Sequence, residues 1–214
     1  RLDVKGARPS YDKAYQYGRG NADILLLYAL YTARTRRFTE ARDAIERALM
    51  LDPLNPRAHR AAGTIAYASR RYADAVDRYR RSIELNPAIS NAHAMMGDAL
   101  LEMNRMGEAR AAYAAEPSAM FRLRGQAVLE HRLGNRSAAQ QAFDRLVSEA
   151  GDAALYQQAE VMAQWGRTDE ALAKLERARA VGDSGLSLIA TDPLLDPIAK
   201  DSRFTSLIKR LGFE

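Results

Sequence analysis

The sequence lacks several residues and motifs that well-known activities require. It has no cysteine, which excludes disulfides, thiol chemistry and cysteine-ligated zinc. Its longest apolar run, ILLLYALY at 24–31, is far shorter than the roughly 18 residues that indicate a membrane-spanning helix. It contains no G-x-x-x-x-G-K-[ST] or G-x-G-x-x-G phosphate loop and no G-x-S-x-G nucleophile motif. We therefore expect a non-catalytic chain without a cofactor, and no membrane contact by these residues.

Positive charge is present and unevenly distributed. The formal net charge is +5, and arginine supplies nearly all of the positive charge. Residues 34–81 hold twelve arginines against six acidic residues. Such a stretch fits a nucleic-acid footprint, a groove for an acidic peptide, or a solvated helix surface. Nucleic-acid binding through 34–81 is the less favoured alternative, because the inward positions show no regular polar code for reading bases.

The strongest pattern is a repeat with a spacing of 34 residues. ARDAIERALMLDP at 41–53 aligns with AVDRYRRSIELNP at 75–87, and Pro53 and Pro87 mark the register. Three further copies follow with shorter connections. The predicted units are 22–55, 56–89, 90–119, 120–151 and 152–181. A period of this length predicts stacked pairs of antiparallel helices.

Within each unit, small residues recur at the positions where the two helices would cross closely. A larger apolar residue lies four positions after the small residue of the second helix. The small positions are Ala29, Gly63, Gly97, Ala127 and Ala159 on the first helices, and Ala41, Ala75, Ala109, Ala139 and Ala171 on the second. The larger residues are Ile45, Tyr79, Tyr113, Phe143 and Leu175. This pattern, with A-x3-Y/F followed by A/S-x4-P, resembles the tetratricopeptide repeat (TPR) family. The resemblance implies an all-α superhelix, an α-solenoid of antiparallel helix pairs, and a protein-interaction module with a concave groove.

The two ends of the chain fall outside these units. Residues 1–21 are predicted to be part of a preceding repeat, with YDKAYQYG at 11–18 as its second helix and Gly18 as the helix end. The chain starts with arginine, so we expect it to be a piece of a longer protein. Residues 182–214 are predicted to fold back as a short helical cap over the last repeat, since a solenoid end otherwise leaves an apolar face uncovered.

A second, narrower resemblance comes from the order of the C-terminal stretches, which end in DPLLDP and DSRFTSLIKRLGF. This order resembles the C-terminal TPR region of bacterial regulators that carry a TolB-like segment and an adenylate cyclase or winged-helix domain. The resemblance implies that the chain is part of a larger bacterial signal-transduction protein, or an oligomerisation scaffold for a parent enzyme such as a cyclase. Its compartment would be the cytoplasm, or the periplasm if the parent is membrane-anchored; the oligomeric state stays open.

The histidines and the acidic residues are the possible metal ligands of this sequence. His59 and His93 occupy equivalent positions in successive units, on the order of 10 Å apart, which is too far for one zinc ion. We expect them to pack against neighbouring helices. Three aspartates at 192, 196 and 201 do not have the spacing of a calcium loop and are predicted to cap short helices. The sequence therefore predicts no metal site.

The remaining candidate is the concave face formed by the first helix of each unit. Arginines can take carboxylates in a bidentate manner and aromatic residues supply contact area, so a lining of both suits a protein or peptide partner, possibly an acidic one. The alternative is that these arginines only solvate the helices. The predicted groove residues are Arg34, Arg57, Arg60, Tyr67, Asn91, Asp98, Phe121, Arg124, His131 and Tyr156.

Overall fold

The structure is a computed structural model that describes residues 3–213. These residues form twelve α-helices and three short 3₁₀ helices, with no β-strand among them, so the all-α prediction is confirmed. The α-helices are α1 (Val4–Tyr17), α2 (Ala22–Arg34), α3 (Phe38–Leu51), α4 (Pro56–Ala68), α5 (Tyr72–Leu85), α6 (Ala92–Glu102), α7 (Met106–Ala115), α8 (Ala119–Arg132), α9 (Arg136–Ala150), α10 (Leu155–Gln164), α11 (Thr168–Val181) and α12 (Ser202–Arg210). The 3₁₀ helices are Gly151–Ala154, Ser184–Leu188 and Pro193–Ile198. No helix in the described range is both long and apolar enough to cross a bilayer.

The helices from α2 to α11 stack in consecutive pairs. Each first helix packs on the second helix of its own pair, and each second helix packs on the first helix of the next pair. The first helices also contact one another, α2 with α4, α6 with α8 and α8 with α10. This is the neighbour-to-neighbour packing of a helical solenoid, in which a row of first helices lines one face.

Small residues at the helix crossings allow the close approach within each pair. Gly63 illustrates this need, since a Cβ built on it would lie 2.6 Å from the Tyr79 ring. The corresponding alanines Ala29, Ala127 and Ala159 are fully buried. The larger residues predicted to fill the space between pairs, such as Tyr79, are buried as well. The sequence pattern therefore marks the core correctly.

The N-terminal helix, α1, packs on α2 through stacked aromatic rings. Tyr11 stacks on Tyr31 and Tyr15 stacks on Tyr28, each pair with ring centroids 4.2 Å apart. The Tyr31 hydroxyl also donates a hydrogen bond to the carbonyl oxygen of Val4. Since stacked aromatic pairs add to the stability that buried area provides, these contacts hold α1 against the first repeat.

The C-terminal segment, defined here as residues 183–213, folds back onto the repeats. Its second 3₁₀ helix, Pro193–Ile198, packs on α10, and α12 packs on α11. Asp192 and Asp201 accept hydrogen bonds from backbone N–H groups at the starts of their helices, as the capping prediction required. Asp196 differs: it lies inside the 3₁₀ helix and pairs with Arg70 rather than capping a new one. The buried apolar side chains of the segment are Leu186, Ile189, Leu194, Leu195, Ile198, Phe204, Leu207, Leu211 and Phe213.

The C-terminal segment extends beyond the last repeat and reaches α1. Gly212 has a φ of +82°, and a Cβ built on it would lie 3.3 Å from the backbone nitrogen of Lys5. The Phe213 N–H donates to the carbonyl oxygen of Ile208, which closes α12 with the backbone pattern of a Schellman motif. The segment thus connects the two ends of the solenoid across its concave side.

Candidate functional site on the concave face

The concave face holds the C-terminal segment through side chains that bind its backbone. Arg36 donates to the carbonyl oxygen of Ala190 through Nε and Nη2, at 3.1 and 2.7 Å. Arg70 donates to the carbonyl oxygen of Thr191 at 2.9 Å and pairs with Asp196 at 2.7 Å. A groove makes contacts of this kind with a bound peptide, because the two arginines bind main-chain carbonyl oxygens and one acidic side chain.

These contacts follow one edge of the concave face. Arg36 and Arg70 lie just after the C-terminal ends of α2 and α4. Gln164, the last residue of α10, donates to the carbonyl oxygen of Leu194 at 2.7 Å. The C-terminal segment therefore covers the edge where the first helices end. No described hydrogen bond joins it to Arg57 or Arg60, which lie in the first turns of α4 near the opposite edge.

Beneath the C-terminal segment lies a cavity with a volume of about 50 Å³. Every first helix contributes to its lining, and the C-terminal segment closes one side. Seven of the ten predicted groove residues meet there: Arg34, Tyr67, Asn91, Asp98, Phe121, Arg124 and Tyr156. The other lining residues are Leu30, Ala33, Thr64, Ala68, Met95, Gln157, Glu160, Leu188, Thr191 and Asp192.

Arg124 lies at the centre of a buried charge cluster. Its Nη1 pairs closely with Asp98, and its Nε lies 3.3 Å from a carboxylate oxygen of Glu160. Asp98 also accepts a hydrogen bond of 2.7 Å from the Tyr113 hydroxyl. The Arg124 and Asp98 side chains are 4% and 3% exposed, so Arg124 is a member of a buried ion pair rather than a free groove arginine.

Burial shifts the pKa of every member of this cluster. It raises the pKa of Asp98, although Arg124 and Tyr113 offset part of the shift. The pKa of Glu160 is raised well above its usual range, first by burial and then by the neighbouring Asp192, against the opposing effect of Arg124. Burial would lower the pKa of Arg124, but Asp98 and Glu160 outweigh it and hold the guanidinium charged. The arrangement keeps one ion pair, Arg124 with Asp98, and favours a protonated Glu160.

Asp192 links this cluster to the C-terminal segment. It accepts a hydrogen bond of 2.8 Å from the Tyr156 hydroxyl and another of 2.9 Å from the backbone N–H of Leu194. Burial and the nearby carboxylates of Asp192 and Glu160 raise the pKa of Tyr156 well above its usual value, so the hydroxyl remains a donor. The aspartate that caps the 3₁₀ helix therefore also connects α10 with the segment that covers the groove.

The other three predicted groove residues lie outside the cavity. Arg57 is exposed, and Arg60 is half-buried with one weak hydrogen bond of 3.4 Å to the carbonyl oxygen of Ser90. His131 stacks on Trp165, with ring centroids 5.4 Å apart. Burial, and to a smaller extent the charge of Arg136, lowers the pKa of its imidazole. The structure thus divides the predicted set into a cavity, an open arginine pair and a packed histidine.

His59 and His93 bind the preceding loops. The His59 ring nitrogen Nε2 lies 2.9 Å from the carbonyl oxygen of Pro53, and the equivalent His93 nitrogen lies 3.4 Å from that of Pro87. Both histidines therefore link the start of a first helix to the end of the preceding pair. Residues 3–213 contain no group of three or more histidine, cysteine or acidic side chains placed to hold a metal ion.

Arg36 and Arg70 are not among the predicted groove residues, although the sequence carries a signal for them. The turn within each repeat needs one residue with positive φ, and later repeats use Asn104, Gly134 and Gly166 there. The first two repeats use Arg36 and Arg70, with φ of 61° and 64°. Because a long side chain is uncommon in this conformation, arginine at these positions indicates a role for the side chain.

Many arginines of the basic stretch 34–81 are paired with acidic residues. Ion pairs of 2.6 to 3.1 Å join Arg37 to Glu40, Arg70 to Asp196, Arg71 to Asp74, Arg78 to Glu46, Arg80 to Asp77 and Arg81 to Glu84. These pairs neutralise half of the twelve arginines. Four of the acidic partners lie within the stretch and are already counted there, so only Asp196 and Glu84 reduce its surplus of positive charge, from six to four.

A family model described as tetratricopeptide repeat matches residues 2–59 and 60–121, which together make up more than half of the chain. The chain belongs to the tetratricopeptide repeat family. TPR proteins are repeat scaffolds that bind protein or peptide partners and are generally non-catalytic, so the coarse prediction of a protein-interaction module is confirmed. The narrower resemblance to TolB-like, cyclase or winged-helix regulators stays a prediction.

Solved TPR structures show the same fold at low sequence identity. The TPR protein YrrB, whose structure is described as having an unusual peptide-binding site, is 18% identical with a TM-score of 0.52, and the match covers 84% of this chain and 96% of that one. PilF from Pseudomonas aeruginosa is 16% identical with a TM-score of 0.57 over 95% and 94% of the two chains. A TPR protein from Parabacteroides merdae is 17% identical with a TM-score of 0.58 over 97% and 85%. A search of curated protein sequences finds no match.

Proposed function

We propose that this TPR chain binds a segment of a partner protein along the uncovered edge of its concave face, without catalysis. The observation that carries the proposal is the way the concave face holds its own C-terminal segment. Arg36, Arg70 and Gln164 bind three backbone carbonyl oxygens of that segment. A surface that binds main-chain carbonyls in this way suits a peptide, whereas nothing in it is arranged for a reaction.

The partner segment is proposed to meet Arg57 and Arg60 on the first turns of α4. Neither arginine is in an ion pair among the described residues, although the charge of Glu116 has a small effect on the pKa of Arg60. Asn91 lies at the start of the next first helix. Burial lowers the pKa of Arg60, which means that its charge is incompletely solvated and would gain from a carboxylate. These contacts favour an acidic segment.

The test uses a panel of short peptides of graded charge, with binding measured by fluorescence anisotropy. The double variant Arg57→Glu/Arg60→Glu should lose binding of the acidic peptides while its melting temperature stays unchanged. The matched control is Arg42→Glu/Arg47→Glu on α3, which makes the same charge change on two exposed arginines of a second helix that are in no described ion pair. Equal loss of binding in both double variants, or in neither, would contradict a site on the concave face.

Two alternative functions, nucleic-acid binding and scaffolding of a parent enzyme, can be tested separately. Nucleic-acid binding through residues 34–81 is disfavoured by the ion pairs described above, and a steep decrease of oligonucleotide affinity with salt would be needed to restore it. Scaffolding of a parent enzyme would require self-association, which light scattering measures directly. No contact in the structure favours either alternative over a peptide groove.

We also propose that the chain is part of a larger bacterial regulatory protein. The support is the stretch DPLLDP together with DSRFTSLIKRLGF, which forms the C-terminal segment here. The complete sequence of the protein in its genome decides the matter. A cyclase or winged-helix signature there would support the proposal, a membrane-spanning run would favour the periplasm, and a continuous TPR array without either domain would count against a regulator.

A further inference from the structure

Three carboxyl groups and one guanidinium meet where the C-terminal segment covers the concave face. Asp98 on α6, Glu160 on α10 and Asp192 on the C-terminal segment all line the cavity there. Arg124 donates from its Nη1 to Asp98, whereas its Nε, 3.3 Å from a Glu160 oxygen, makes no hydrogen bond. Asp98 therefore takes the charge of Arg124, and Glu160 and Asp192 face one another without a cation of their own.

The other groups around this pair of carboxyls do not supply one. The remaining titratable or charged groups nearby are Arg34 on α2, Tyr67 on α4, Tyr156 on α10 and Asp196 on the C-terminal segment. Burial lowers the pKa of Arg34 and only Tyr11 opposes the shift, so its guanidinium lies too far away to neutralise either carboxyl. Burial raises the pKa of both tyrosines well above its usual value, which keeps their hydroxyls neutral. Asp196 pairs with Arg70.

We propose that Glu160 and Asp192 share one proton, and that this proton holds the C-terminal segment against α10. In the closed form the Glu160 carboxyl donates a hydrogen bond to the Asp192 carboxylate, which also accepts from the Tyr156 hydroxyl and the Leu194 N–H. Loss of the proton places two carboxylates side by side, and their repulsion favours an open segment. The proposal goes beyond partner binding at the uncovered edge and does not depend on it.

The direction of the pH effect follows from the surroundings of Glu160. Burial, and then the charge of Asp192, raise the pKa of Glu160 well above the usual 4.5, although Arg124 opposes them. Glu160 is 6% exposed and the cavity has room for only a few water molecules, so a charge there is poorly hydrated. Opening would remove both effects and return the pKa toward 4.5.

The closed segment is therefore most stable below pH 4.5, where Glu160 carries its proton in both forms. As the pH rises from there to the raised pKa of the closed form, the opening equilibrium should increase by about ten-fold per pH unit. Above that pKa it should increase no further. The segment thus opens more often as the pH rises.

Opening would change what the concave face offers to a partner. Arg36, Arg70 and Gln164 bind carbonyl oxygens of the closed segment. All three donors lie at the edge that the segment covers, and they would be released together. At higher pH this edge would become available to the main chain of another segment.

The experiment measures amide hydrogen exchange between about pH 5 and pH 8, with each rate corrected for the intrinsic effect of pH on exchange. The reporters are the N–H groups of Leu194, Leu195 and Ala199, which donate hydrogen bonds within the C-terminal segment. Their protection in the wild-type protein should decrease with pH as described. In Glu160→Gln it should not, because the amide is neutral at every pH and can still donate to Asp192.

Two further variants complete the test. Glu130→Gln makes the same change on a half-buried glutamate of α8 that pairs with Arg110 outside the cavity, and it should keep the wild-type profile. Asp192→Asn removes the neighbouring charge but not the burial, so the total decrease in protection should become smaller. Wild-type protection that does not change with pH would overturn the proposal. So would a wild-type profile in Glu160→Gln or Asp192→Asn, or a loss in Glu160→Gln by the same factor at every pH, which would mean that Glu160 only packs.

Discussion

Replacement of Arg124 by methionine tests the buried charge cluster most directly. Methionine retains much of the aliphatic volume and removes the charge, so Asp98 would be left buried with only the Tyr113 hydroxyl as a partner. Breaking a buried ion pair by removing one partner costs about 3–5 kcal/mol. We expect Arg124→Met to lower the free energy of unfolding by that amount near neutral pH.

The loss should depend on pH in a defined direction. Burial already raises the pKa of Asp98 above the usual 3.8, and without Arg124 it rises further. A carboxyl group with a raised folded-state pKa retains its stability below the unfolded value and loses it as pH rises toward the folded value. The destabilisation should therefore be small near pH 4 and grow with pH, by up to about 1.4 kcal/mol for each unit within that window.

The assay is urea unfolding of wild type and Arg124→Met across this pH range. In the double variant Arg124→Met/Asp98→Asn the uncompensated charge is absent, so its stability should exceed that of Arg124→Met and lose most of the pH dependence. Arg145→Met, which breaks an exposed ion pair with Glu149, should have little effect. A loss that is pH-independent, or no larger than that of Arg145→Met, would refute the buried-pair interpretation.

Two further predictions concern packing. Phe204→Ala in the C-terminal segment, where Phe204 is 3% exposed, should cost about 3–5 kcal/mol in unfolding experiments, whereas Leu133→Ala at 40% exposure should cost far less; equal losses would mean that the segment is not part of the cooperative fold. Gly63→Ala places a Cβ 2.6 Å from a tyrosine ring and should lower the melting temperature, whereas Gly107→Ala, with nothing within 4 Å, should be neutral or stabilising. A neutral Gly63→Ala would contradict the close crossing of α4 and α5.

The C-terminal segment changes how the groove is understood. From the sequence, residues 182–214 were expected to cap the last repeat, and their apolar side chains are buried as a cap requires. The segment also runs along the ends of the first helices and contacts Arg36 and Arg70 of the first two repeats. The partner segment proposed above would therefore approach from the opposite edge. In this protein the concave face and the C-terminal segment that lies along its edge pack together as one unit.

The sequence determined the helices and their core because these depend on local patterns. A 34-residue period, alanine or glycine at each crossing and an apolar residue four positions later are sufficient to specify antiparallel pairs that stack. The same reasoning placed Asp192 and Asp201 at helix starts, since a capping aspartate binds N–H groups two residues away. Such interactions lie within a few residues or one repeat, so they can be predicted from spacing.

Only the tertiary structure decided which groove residues are free. Asp98, Arg124 and Glu160 lie on three different helices, and their pairing depends on how far each repeat is rotated from the last. The contact of Arg36 with Ala190 joins residues 154 positions apart, and no repeat period relates them. A spacing rule shows that an arginine faces the groove. Whether that arginine finds a buried carboxylate, a backbone carbonyl or an empty cavity depends on long-range packing, which the sequence pattern does not contain.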